Sequence, residues 1–156
     1  QVLGALPCRV RWIDEREHDF PATVPDNVEI VAKDAPAAEV ADAPRGAYVV
    51  VMTHSHDLDF DIVEAALERH DWAYLGLIGS KPKRAQFERR LAARGAPEIE
   101  LARVTCPIGA HSGLSSKEPG AIAVGVAAEL LAIREKALAA SEPTSVRPFA
   151  RRQERT

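Results

Sequence analysis

Four clusters of side chains in this 156-residue chain are of types that can do chemistry. Thr53-His54-Ser55-His56-Asp57-Leu58-Asp59 follows an apolar run and sets two imidazoles among carboxylates, the ligand types that hold zinc or iron when their geometry closes. Gly76-Leu77-Ile78-Gly79-Ser80-Lys81-Pro82-Lys83-Arg84 follows the next apolar run and carries the opposite charge. There Gly79 lets the backbone approach a ligand, Ser80 can donate a hydroxyl, and the amides that open a helix attract an anion such as phosphate. Cys106-Pro107-Ile108-Gly109, followed by His111, Ser112 and Gly113, is a glycine-bearing loop. Its thiol is a soft ligand, a reactive group or a small buried hydrophobe. Asp14 closes the first apolar segment and suits either the hydroxyls of a ribose or the capping of a turn with Glu15 and Arg16.

The two histidine-bearing and lysine-bearing clusters invite different ligands. The first is similar to the His-x-His-x-Asp-His signature of metallo-β-lactamase-like hydrolases, but its register fails. That pattern needs Asp where Leu58 stands and His where Asp59 stands. With Asp57 as N-cap and Asp59 and Asp61 in the first turn, the same stretch reads as a helix start that satisfies its own amides and repels phosphate. The start at Ser80 has no acid before Glu88, so an anion is expected there. His54 points toward the same strand end.

The elements that must carry these residues follow from pattern. Residues 8–13 alternate apolar and polar and form a strand ending at Asp14. Residues 28–31 form a second, weaker strand, and residues 35–46 a linker with at most a helical turn. Residues 48–53 and 73–78 are continuous apolar runs of strand length, as in a sheet covered on both faces. Residues 57–70 and 81–94 carry helical apolar stripes, the second stopped by Gly95. Residues 101–104 read as a short strand leading to Cys106, and residues 122–139 as a long Ala-rich helix with Pro119 at its start. Alternating strands and helices imply an open α/β fold of Rossmann type, a parallel sheet flanked by helices.

In such a fold the acid closing the second strand lies about 20 residues beyond the glycine turn of the first. Asp14 has 13 residues before it and no Gly-x-Gly among them, so the first strand and its glycine loop are expected upstream, with this chain a fragment. Residues 1–140 are expected to form the domain and residues 141–156 a polar, Arg-rich tail.

Composition removes other classes. With 46% hydrophobic residues the chain is not disordered. Its net charge of −3 argues against a duplex DNA binder, and no nucleic-acid partner is expected. No apolar run reaches the roughly 18 residues of a membrane helix, so no membrane partner is expected. Two distant cysteines, Cys8 and Cys106, do not build a disulfide framework, which fits a reducing cytoplasmic setting. No nucleophilic serine elbow or Ser-His-Asp arrangement is present.

Taken together, Val51-Met52-Thr53-His54-Ser55-His56-Asp57, Leu75-Gly76-Leu77-Ile78-Gly79-Ser80 with Lys83-Arg84, Cys106-Pro107-Ile108-Gly109, and Lys117-Glu118-Pro119 before Ile122-Ala123 resemble the XdhC-type accessory proteins of xanthine dehydrogenase. The likeness covers about residues 10–132 and looks like the C-terminal, Rossmann-like half of such a protein. It implies a chaperone rather than an enzyme. On this likeness the protein binds the molybdenum cofactor (molybdopterin), protects it while a cysteine desulfurase adds sulfur, and passes it to the molybdenum subunit of xanthine dehydrogenase. By position His54, Gly79, Ser80, Lys83, Arg84, Cys106 and Gly109 become cofactor-binding candidates, with Lys83 and Arg84 on the phosphate and Cys106 near the metal end. The rival expectation is an NAD(P)-dependent oxidoreductase in which Asp14 takes the ribose. A homodimer through the last helix is a further expectation.

Overall fold

The computed structural model describes residues 2–114 and 116–141. The tail expected over residues 141–156 therefore lies, but for Ser141, outside the described residues.

Two parallel strand pairs organise the chain. Strand β1 (Val10–Asp14) pairs with β2 (Val28–Ala32) from Val10↔Val28 to Asp14↔Ala32. Helix α1 (Pro36–Ala41) sits in the stretch expected to be a linker, with Pro36 and Val40 buried. Proline at its first position supplies a pre-set φ where no amide partner is needed. Strand β3 (Tyr48–Val51) pairs with β4 (Tyr74–Leu77) from Tyr48↔Tyr74 to Val51↔Leu77. This is the α/β class with parallel strands that the alternation implied. Among the described residues the ladder is not continuous, since β1 pairs only with β2 and β3 only with β4.

Helix α2 (His56–Arg69) returns the chain from β3 to β4 and buries Phe60, Val63, Ala66 and Leu67 at helical spacing. Its N-cap is Ser55, whose hydroxyl accepts from the Leu58 amide at 3.4 Å, and not Asp57 as expected. Asp57 and Asp59 occupy the first turn. Helix α3 (Lys81–Ala93) follows β4 with Ser80 as N-cap and buries Phe87 and Leu91. These faces meet Val51, Leu75 and Leu77 in one core, where each fully buried Phe or Leu stabilises by about 1.5–3 kcal/mol.

Residues 101–104 are not the strand expected. Helix α4 (Glu98–Arg103) takes residues 101–103. The segment has acids in its first turn and an Arg103–Glu100 pair at 2.7 Å, and Leu101 and Val104, three apart, are both buried. That spacing is helical, so the segment follows the helical period and not the strand period. The strand contact moves to Thr105, which bridges Gly76 in parallel and exchanges hydrogen bonds with Leu75 and Leu77 at 2.9 and 2.8 Å. A 3-10 turn (Ala110–Ser112) then leads to the long helix α5 (Pro119–Ser141). None of the helices among the described residues is long and apolar enough to cross a membrane.

Candidate functional site

Strands β3 and β4 and the Thr105 segment run parallel, so His54, Gly79 and Cys106 leave that sheet at one rim, and the 3.4 Å contact of His54 with Glu15 brings the end of β1, with Asp14, beside His54. Such a rim is where open α/β sheets bind ligands. The candidate residues divide there into two groups.

Asp14 and His54 belong to the first. The Asp14 carboxylate is gripped by Arg16, whose Nε and Nη2 donate at 3.0 and 2.9 Å and whose amide donates at 3.0 Å. The guanidinium holds the Asp14 carboxyl below the usual carboxylate range. A ribose would have to displace that two-pronged pair. His54 turns across the gap between the strand pairs, its Nε2 lying 3.4 Å from Glu15 Oε1. Among the described residues no three His, Cys, Asp or Glu side chains gather as a metal site.

Gly79, Ser80, Lys83, Arg84, Cys106 and Gly109 form the second group. A Cβ at Gly79 would lie 2.7 Å from Lys83 Cδ and 3.4 Å from Cys106 Sγ, so glycine is what lets the two loops touch. Ser80 caps α3 by accepting from the Lys83 amide at 3.4 Å, and it is exposed. Arg84 is about one-third exposed and its Nε donates to Glu88 at 2.7 Å. Lys83 does not face outward as expected. Its ammonium is buried against Asp59 Oδ2 at 2.6 Å and the Ile78 carbonyl at 3.0 Å. Asp59, 1% exposed, also accepts from the Thr53 amide at 2.9 Å. Lys83 and Asp59, read as belonging to separate surfaces, thus neutralise each other underneath the rim, while Ser80 and Lys81 stay exposed and Arg84 pairs with Glu88.

Cys106 is buried, and its desolvation pushes the thiol up despite the nearby Arg84 and Lys83 charges. At neutral pH the free side chain is a thiol rather than a thiolate. The cleft beside it, lined by Leu77, Arg84, Phe87, Glu88, Val104 and Cys106, measures about 10 Å³, room for one water at most. That cleft admits no cofactor-sized group.

Three residues were missed. Asp59 was read only as a helix-start acid, although its partner is 24 residues away in sequence. Glu129 and Tyr74 were not singled out. Glu129 is 5% exposed in α5, and its Oε2 accepts from the Tyr74 hydroxyl at 2.6 Å and the Gly109 amide at 2.9 Å. Its Oε1 takes the His111 amide and pairs with His111 Nδ1. A single acid in the apolar run of residues 121–133 was the available signal. Gly109 has φ 73° and packs against α5, so its role is in the loop's geometry.

Residues 1–130 match a protein family described as the XdhC Rossmann domain. The chain is also similar to the uncharacterized protein YqeB of Escherichia coli (strain K12), with 31% identity over 101 residues, which is 65% of this chain and 18% of that protein. The chain thus spans less than a fifth of that relative's length where they match.

Proposed function

This chain belongs to the XdhC Rossmann-domain family, and from that premise we propose that it is a molybdenum-cofactor binding domain serving as an accessory factor for xanthine dehydrogenase. The observation that carries the reading is the family match over residues 1–130. The rim geometry supports its phosphate end. Ser80 caps α3, and Lys81 and Arg84 lie in its first turn, which holds no acid, a combination that favours a phosphate. The group's metal end finds less. Cys106 is buried and its free side chain is a thiol, so a contact with the metal would require the thiol to release its proton on binding.

When bound, the cofactor supplies redox chemistry that belongs to the client dehydrogenase. This chain's residues hold its phosphate, orient it along the rim and release it. Lys83 enters as a positioning residue, because its bond to Asp59 joins the first turns of α2 and α3. The partners of this reading are the molybdenum subunit of xanthine dehydrogenase as recipient and a cysteine desulfurase as sulfur donor. An NAD(P)-dependent oxidoreductase is the less favoured reading, since Arg16 already occupies Asp14.

The test is an anaerobic titration of the chain with molybdopterin and, separately, with NADH. Saturable pterin binding that weakens roughly ten-fold in a Ser80→Ala/Arg84→Ala variant is expected, the loss of about one charge-assisted hydrogen bond. Tight NADH binding with no pterin binding overturns the proposal.

A further inference from the structure

Helix α5 is 23 residues long, but its buried residues, Gly125, Val126, Ala127 and Glu129, all lie in its first half. Every residue from Arg134 to Ser141 is exposed. The second half therefore leaves the body of the protein as an arm. A short helix without packing is marginal in water, because most helical stability comes from burying an apolar face. Residues 130–140 are nonetheless apolar except for Arg134, Glu135 and Lys136. Leu138 on the arm is 53% exposed, and Val124 nearer the body is 51% exposed.

Those two residues belong to one line. Val124, Leu131 and Leu138 recur every seven residues, a spacing that returns to the same side of a helix within about 20° per step. Val126 and Glu129, which the body buries, point elsewhere on the helix. Ala121, Ala128 and Glu135 interleave with the three aliphatics at spacings of three and four, the repeat of a helix-pairing seam. Large aliphatic positions thus alternate with two alanines and one carboxylate.

That alternation says what covers the seam. Two copies set parallel would put like on like, with Glu135 against the partner's Glu135 in the middle of the contact, where the two charges repel. Two copies set antiparallel put large on small. Leu131 then packs on the partner's Ala128 and Leu138 on the partner's Ala121, the interlocking that fills a helix interface. Glu135 falls beside the partner's Val124, and the two carboxylates stand 11 residue levels apart, about 16 Å. A surface matched to itself under a two-fold is the requirement of an isologous dimer.

We propose that α5 is a dimerisation arm through which two copies of this chain associate, antiparallel, along Val124, Leu131 and Leu138. The proposal stands apart from the cofactor reading and uses none of its residues. The seam from Ala121 to Leu138 is about 25 Å long. A helix pair of that length buries on the order of 1,000 Å², the low end for a specific interface. The dimer is accordingly reversible and of micromolar class.

Sedimentation equilibrium of the full 156-residue chain over a concentration series is expected to show monomer–dimer exchange. A Val124→Glu/Leu138→Glu variant changes two residues that are more than half exposed. It should keep the parent's far-UV circular dichroism and raise the dissociation constant at least roughly ten-fold. Cys8 is exposed and Cys106 buried, so cross-linking is read in a Cys8→Ser background. There Ala128→Cys, beside the two-fold, should form a disulfide-linked dimer on oxidation. Glu135→Cys should not, since a disulfide needs Cα atoms within about 7 Å. A chain that stays monomeric at every concentration overturns the proposal and leaves residues 142–156 or a different protein as the cover. A dimer indifferent to the double variant overturns the surface, and cross-linking through residue 135 but not 128 overturns the antiparallel arrangement.

Discussion

The Lys83 ammonium lies 2.6 Å from Asp59, with the two side chains 9% and 1% exposed. Each also has a backbone partner, Ile78 for the amine and the Thr53 amide for the carboxylate. Charges so enclosed depend on one another. Removing one leaves the other without water, which costs about 3–5 kcal/mol, whereas an exposed pair is worth about 0–1. Lys83→Ala is therefore expected to lower stability by several kcal/mol in urea unfolding, and Arg94→Ala, which breaks the exposed pair with Glu64, by less than about 1 kcal/mol. An Asp59→Asn/Lys83→Met double variant should recover part of the loss, because no lone charge remains. Equal, small losses in both single variants would return Lys83 to the surface and to the phosphate.

Local pattern could not have shown this pair, since its members open different helices 24 residues apart in sequence. Whole elements were more legible. The helices near residues 57–70, 81–94 and 122–139 announce themselves by apolar spacing and by their stops, and four short strands by apolar runs. Residues 101–104 read as a strand because the segment is too short for its period to declare itself, whereas the three-residue spacing of Leu101 and Val104 and the acids at Glu98 and Glu100 favour a helix. The tie between α5 and the loop after Thr105 was also invisible, as it depends on Glu129 reaching back 20 residues to Gly109. That tie has a pH signature. Glu129 is held below its ordinary value of 4.5 in the fold, so its ionised form favours the native state. This stability is fully present above about pH 4.5 and is lost as the pH falls through the lower, folded value. Asp14 and Asp71, both also held low by arginines, act with the same sign, so the variant must be compared with the parent. The Tm gap between the parent and Glu129→Gln is expected to be widest near neutrality and to shrink below pH 4.5. A gap that stays constant down to about pH 3 would mean that the carboxylate's charge contributes nothing to the tie.

At the scale of the whole molecule the two strand pairs are unequal. Every residue of β4 is buried, and β3 and β4 lie between α2, α3 and the Thr105 bridge. In β1–β2 only Val31 is buried, while Trp12 and Ile30, opposite each other in the ladder, are 41% and 38% exposed. Arg11 binds that pair to α1 through Glu39 at 2.7 Å, and His54 meets Glu15 across the gap, but such part-exposed contacts add little. A sequence read for elements gives both pairs as strands, and their unequal burial appears only once the helices are placed. Opening a region costs roughly the burial it surrenders. Native-state hydrogen exchange is accordingly expected to show β1–β2 amides exchanging through a local opening, while Leu75, Gly76 and Leu77 exchange only on global unfolding. Since Asp14 rides on the looser pair, while His54 follows β3 and Ser80 and Arg84 follow β4 on the firmer one, a ligand held at Ser80 and Arg84 should leave β1–β2 exchange unchanged. Slowing of the Ile13 and Val31 amides by sulfate, with Leu75 unaffected, would instead put the ligand in the gap between the pairs and shift the site toward Asp14.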